Sequence, residues 1–163
     1  MRLVVADTGP LHYLVLTGDI ELLPTLFDRV LVPEAVRNEL THTEAPAAVR
    51  AWISQAPAWL DVRPHPDTRS DDITGSKLDD GERAAIALAL AVKVDLVLMD
   101  DQDGVTVARR RGLIDTLGVL DLAARRGMID LAVAFERLKA TSFYYRQGLL
   151  DDLLAQHRKR DDE

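Results

Sequence analysis

The chain has 163 residues, with 47% hydrophobic and 29% charged residues, a formal net charge of −7 and no cysteine. That length supports one core able to fold alone, while the missing cysteine excludes disulfides, zinc–thiolate sites and sulfur redox chemistry and fits a reducing cytoplasm. The acidic balance argues against nucleic-acid binding by bulk electrostatics, unless carboxylates are gathered to hold cations whose charge changes the local field. Leu3-Val4-Val5-Ala6 is too short for a signal-peptide core, and no apolar run is long enough to span a bilayer.

The opening apolar run, about residues 2–6, reads as a buried strand closed by Asp7-Thr8-Gly9-Pro10. Pro10 starts a helix whose stripe is Leu11, Leu14 and Val15, and Gly18-Asp19 breaks it. Ile20 to Phe27 reads as a second short helix and Arg29 to Val32 as a strand. Pro33 opens a helix with Val36 and Leu40 on one face, and residues 45–56 form another with Val49, Trp52 and Ile53. Trp59 to Val62 reads as a short edge strand, followed by a long polar loop over residues 64–77. Leu78-Asp79-Asp80-Gly81-Glu82 leads into a strong helix through Val92, and Val94 to Met99 is a buried strand ending in Asp100-Asp101-Gln102-Asp103-Gly104. A basic helix from Val105 to Arg111, a strand at Leu113 to Asp115 and a turn at Thr116-Leu117-Gly118 come next. Helices near 118–126, 130–139 and 146–159 complete the chain. Alternating strands and helices imply a parallel sheet covered on both faces.

Two predicted strands end in aspartate, and right-handed crossovers bring strand C-termini to one edge, where ligands bind. Asp7 and Asp100-Asp101 are therefore expected to converge, although Asp is also common at strand ends because it favours turns and caps. At about 100° per residue, Glu39 lies roughly 60° from Val36 and borders the buried stripe. Glu82 lies roughly 40° from Ile86 on the core face, while Asp80 at roughly 120° faces solvent. A carboxylate on a core face is paired or metal-bound. Glu82 also fits a capping box with Asp79, and Glu39 fits an ordinary helix surface. Hard oxygen donors of this kind suit Mg²⁺ or Mn²⁺, which activate water and offset charge on a phosphoryl group.

In this order and spacing, the segments Val4–Leu11, Val32–Leu40, Leu78–Glu82 with Ala85–Ala89, Leu96–Asp101 and Thr116–Leu120 resemble a PIN domain of the branch related to VapC toxins. The resemblance implies a three-layer α/β/α sandwich with a mostly parallel sheet of about five strands. Residues 1–145 would be the PIN-like domain, and 146–163 a closing helix and frayed charged tail of the same domain. It implies a cytoplasmic, homodimeric, Mg²⁺- or Mn²⁺-dependent endoribonuclease that cuts single-stranded RNA, the toxin of a pair with a cognate antitoxin. Carried onto this sequence, the four acids are Asp7, Glu39, Glu82 and either Asp100 or Asp101. Family members often place Thr or Ser before the last acid, and Met99 stands there in this chain. Thr8 and Asp103 are supporting residues. Substrate cations would come from Lys77, Arg109 and Arg110, with Arg83, Arg111, Arg125 and Arg126 as further candidates. The alternative is a catalytically silent PIN-like module that binds RNA or protein. Asp7-Thr8-Gly9 also matches an aspartic-protease signature, but that needs a mostly β fold, which the helix-rich pattern opposes. An aspartyl-phosphatase would want a second Asp where Gly9 stands.

Overall fold

The computed structural model describes residues 2–64, 80–100, 112–145 and 148–161. It divides into two compact units, residues 1–116 and 117–163.

Five strands form the sheet of the first unit: β1 (Leu3–Ala6), β2 (Arg29–Pro33), β3 (Leu60–Arg63), β4 (Leu96–Leu98) and β5 (Leu113–Ile114). All four pairings are parallel and the order is β3-β2-β1-β4-β5. The strands form where the sequence carries short apolar runs, and the inner strands β1, β2 and β4 are buried because both faces are covered, while the edge strands β3 and β5 are only partly buried. Among the described residues, five helices belong wholly to this unit: α1 (Thr8–Thr17), α2 (Leu22–Leu26), α3 (Glu34–Thr41), α4 (Ala47–Ser54) and α5 (Asp80–Val92). Period-two alternation assigns the faces. Val5, Leu31 and Val97 meet Ala85, Ile86, Leu88 and Ala89 of α5, whereas Val4, Ala6, Val30, Val32 and Leu98 are buried on the other face. Burying one such Val or Leu side chain stabilises the fold by about 1.5–3 kcal/mol.

The chain steps from β1 outward to β2 and β3, then returns past both to β4. With right-handed crossovers, the connections on the two sides of β1 run over opposite faces of the sheet, giving three layers. This leaves a crevice between the C-terminal ends of β1 and β4, the switch point where ligands bind in such sheets. The register carries across it: Ala6 pairs with Leu98, and the Asp7 N–H donates to the Leu98 carbonyl at 2.9 Å.

In the second unit, α6 (Thr116–Arg125, its first residue at the unit boundary), α7 (Leu131–Lys139) and α8 (Leu149–Asp161) follow one another. Leu131, Ala134, Phe135 and Leu138 give α7 its buried stripe. The Asp130 carboxylate caps α7 by accepting from the Val133 N–H at 3.2 Å. No helix among the described residues is long and apolar enough to cross a membrane.

Two differences from the sequence expectation bear on the site. The first helix begins at Thr8 rather than Pro10, with Asp7 in extended conformation as its N-cap residue. Proline is tolerated in that first turn, where N–H groups have no intrahelical acceptor. Thr116-Leu117-Gly118, expected as a turn, is instead the first turn of α6. The reason is a long-range cap: the Asp100 carboxylate accepts the Thr116 N–H at 2.8 Å. The predicted basic helix over 105–111, all but the first residue of the loop over 64–77, and the Asp79 cap lie outside the described residues.

Lys93, just past α5, has φ of 55°. A left-handed backbone costs an L-residue roughly 1–2 kcal/mol, and glycine adopts it freely. Lys93→Gly is expected to stabilise the protein by up to about 1 kcal/mol, raising Tm by about 2–4 °C in a thermal melt.

Candidate active site

Asp7 is placed by the end of β1 and the start of α1. It is 6% exposed, and its side chain makes no capping hydrogen bond to α1. The ordinary reason for an aspartate at a helix start is therefore absent. A buried carboxylate that does not cap its own helix is a candidate for a ligand or a charge partner.

Two neighbours connect Asp7 to the other acids. The Thr8 hydroxyl donates a hydrogen bond to Glu39 Oε2. The Gly81 N–H donates to Glu39 Oε1 at 3.1 Å. Glu39, half-buried on the second turn of α3, thus joins the start of α1 to the start of α5. Glu82 follows Gly81 directly and is 6% exposed, on the face of α5 that turns to the core. On the other side, a Cβ placed on Gly9 would stand 3.4 Å from Asp100 Oδ2. Thr8 and Gly81 thus tie Glu39 to the chain neighbours of Asp7 and Glu82, and Gly9 brings Asp100 to the start of α1, at the C-terminal ends of β1 and β4.

Asp100 is held from beyond β5. Thr116 donates its N–H to Oδ1 at 2.8 Å and its hydroxyl to Oδ2 at 2.6 Å. Burial raises the Asp100 carboxyl above its ordinary range; the two Thr116 hydrogen bonds oppose the shift, and the negative charge of Asp115 adds to it. Thr116, which is fully buried, was not among the sequence candidates. The signal that would have revealed it is a hydroxyl residue opening an apolar stripe of helical period, Leu117, Leu120 and Ala124.

The donor set is all carboxylate oxygen, which fits a hard divalent cation. Asp100 carries its charge at a desolvation cost that a cation would offset. Among the described residues no three Asp, Glu or His side chains are already drawn together as a ligand group. Glu39 is held by Thr8 and Gly81, and Asp100 by Thr116. A carboxylate oxygen has two lone pairs, so a hydrogen bond to it is compatible with ligation. Asp101, Asp103, Lys77, Arg109 and Arg110 lie outside the described residues, so the structure positions Asp100 but makes no comparison with Asp101. His12 is a half-buried helix residue packed against the Tyr13 ring at 4.6 Å, and burial lowers its pKa.

Gly81 has no room for a side chain: a Cβ there would lie 2.8 Å from Glu39 Cδ. Gly81→Ala must displace the Glu39 carboxylate. Alanine gains up to about 1 kcal/mol of helix propensity over glycine, which offsets the lost hydrogen bond. The expected result is a Tm within about 3 °C of wild type with activity lowered at least about tenfold, read from parallel melts and initial rates.

A family model described as a PIN domain matches residues 3–159. No curated protein and no solved structure matches the chain.

Proposed function

This chain belongs to the PIN-domain family, and on that premise we propose that it is a metal-dependent endoribonuclease that hydrolyses single-stranded RNA. The family gives it a nuclease-type fold. The observation that supports the finer reading is Asp7: a carboxylate buried at the switch point, not used as a cap, with Glu39, Glu82 and Asp100 around it.

In this reading Asp7, Glu82 and Asp100 hold Mg²⁺ or Mn²⁺, with Asp101 the alternative to Asp100. The bound ion would supply a water of lowered pKa and offset the charge of the phosphoryl group. The chain's own residues do the rest. Thr8 and the Gly81 N–H fix the Glu39 carboxylate, which orients the attacking water or helps to hold a second ion. Thr116 fixes the plane of the Asp100 carboxylate through two hydrogen bonds. Ligands locked in this way lose less freedom when the ion binds.

The toxin assignment, a cognate antitoxin and a homodimer are part of the proposal and rest on the resemblance of the acidic motifs to VapC-type proteins. An antitoxin of this kind would insert a cation among the carboxylates. Co-purification with the product of a neighbouring reading frame supports that partner, and cleavage indifferent to any such product counts against it.

The functional test is cleavage of single-stranded RNA with Mg²⁺ or Mn²⁺ against an EDTA control. Metal-dependent cutting is the expected result. Metal binding should also register without substrate, since a cation at a hundred times its Kd stabilises the folded state by about 2.7 kcal/mol, which is about 5–10 °C in Tm. A second reading, a silent RNA- or protein-binding module, is favoured by the hydrogen bonds that already engage Glu39 and Asp100. RNA binding with neither cleavage nor a metal-induced shift would establish it.

A further inference from the structure

The second unit contains a groove of about 590 Å³ that the acidic site does not use. It lies within residues 124–158, where the end of α6, the turn before α7, the start of α7 and one face of α8 meet. Its size is that of a ligand site. The floor is apolar, with Ala124, Leu131 and Leu154, while Arg125 and Arg158 bring guanidinium groups to the same groove. Leu154, His157 and Arg158 share one face of α8 by their i, i+3, i+4 spacing.

Arg125 is held in place. It bridges Asp121 at 2.8 Å, and Arg160 approaches the same carboxylate at 3.4 Å. A guanidinium has five N–H donors in a fixed fork, so one carboxylate contact leaves donors for a ligand. The groove also carries one carboxylate, Asp130, which is engaged in capping α7 through the Val133 N–H. Counting the ion-pair partners, Arg125, Arg158 and Arg160 against Asp121 and Asp130 leave the groove with a net positive charge. Leu131 and Ala132 are in the first turn of α7, where backbone N–H groups have no intrahelical acceptor and the dipole favours anions. The whole chain is acidic at −7, yet residues 117–163 hold eight basic and eight acidic residues, so the excess negative charge belongs to the first unit. RNA repelled by that unit needs its affinity from elsewhere.

We propose that this groove is a second RNA site, holding a backbone phosphodiester of a single strand between Arg125 and Arg158 while the adjoining sugar or base lies on the apolar floor. The inference rests on the ribonuclease reading and extends it from the reacting atoms to the grip on the strand. An arginine pair over an apolar floor matches a nucleotide, which presents an anionic group beside a flat apolar one.

The test uses the full chain in EDTA, so that binding is separated from cleavage. Affinity for a labelled short oligouridylate is measured by fluorescence anisotropy across a salt series for wild type, Arg125→Gln/Arg158→Gln and Arg125→Lys/Arg158→Lys. The glutamine pair is expected to bind about tenfold more weakly and to reduce the magnitude of the salt slope by about 1.4, the value for two phosphate contacts on a single strand. The lysine pair keeps the charge and should retain most of the slope. Melting curves that match wild type confirm that the variants are folded. Two competitors, UMP and a poly-glutamate peptide, distinguish other sources of anion. Equal RNA affinity and slope in all three proteins overturns the proposal. So does loss of UMP binding with RNA binding intact, or displacement of RNA by poly-glutamate but not by unlabelled oligouridylate. Wild-type protein that binds no RNA in EDTA also overturns the groove proposal, whereas the ribonuclease reading fails separately, by absence of cleavage with Mg²⁺ or Mn²⁺, so the two failures are distinguishable.

Discussion

Asp7→Asn is expected to lower metal-dependent RNA cleavage by at least about a hundredfold with no loss of thermal stability. The substitution removes one charge and almost no volume. Asp7 stands at the N-cap of α1 but makes no side-chain capping bond there, and asparagine is as good an N-cap residue as aspartate. Its backbone N–H to Leu98 is untouched. The side chain is 6% exposed, so a neutral amide is easier to bury than a carboxylate. Activity and stability should therefore separate: cleavage lost, Tm held or raised in EDTA, and the Mn²⁺-induced rise in Tm abolished. Cleavage near the wild-type rate would remove Asp7 from the mechanism.

Asp100→Asn should show a crossing of stabilities. Burial raises the Asp100 carboxyl above its reference value of 3.8. A group whose folded pKa is raised contributes stability that is fully present below the unfolded value and is lost as pH rises through the folded one. At neutral pH the ionised carboxylate therefore costs the metal-free protein stability. Asparagine removes that cost and can keep both bonds, since its carbonyl accepts the Thr116 N–H and its amide donates to the Thr116 hydroxyl. In EDTA the variant is expected to melt above wild type at pH 7. Its advantage should shrink as pH falls through the carboxylate range. With saturating Mn²⁺ the order reverses, because wild type alone gains the full metal contribution, and cleavage falls at least about tenfold. A variant less stable than wild type in EDTA at every pH would show that the Thr116 bonds outweigh the burial cost. Melting curves at several pH values, with and without metal, decide the matter.

Much of the site was legible in the sequence, for local reasons. Short apolar runs identified the strands, and helical phase placed Glu82 on the core face and Asp80 in solvent, as found. Glu39 was expected at the border of a buried stripe and is half-buried. Features that depend on contacts between distant segments were not legible. Gly118 suggested a turn after β5, because glycine is a poor helix former. The helix nevertheless starts at Thr116, because Asp100, sixteen residues earlier, accepts its first N–H. Gly81 looked like part of a capping sequence, but its lack of a side chain is required by Glu39, which comes from another helix. The groove of the second unit was also hidden, since Arg125 and Arg158 come from helices whose meeting no local pattern reveals.

Asp7 also carried the rival readings, and the sheet separates them. Five parallel strands with α/β connectivity are incompatible with the mostly β fold that an Asp-Thr-Gly protease requires. The same connectivity opens a crevice at the ends of β1 and β4, so the two aspartates that close these strands lie on either side of it.

The central claim is that these carboxylates form one cation site. Anomalous diffraction from crystals grown with Mn²⁺ tests it most directly. A single peak or a close pair is expected within ligand distance of Asp7, with Glu82 and either Asp100 or Asp101 completing the set. Saturating Mn²⁺ with no peak at the ends of β1 and β4, or a peak whose ligands exclude Asp7, would contradict it.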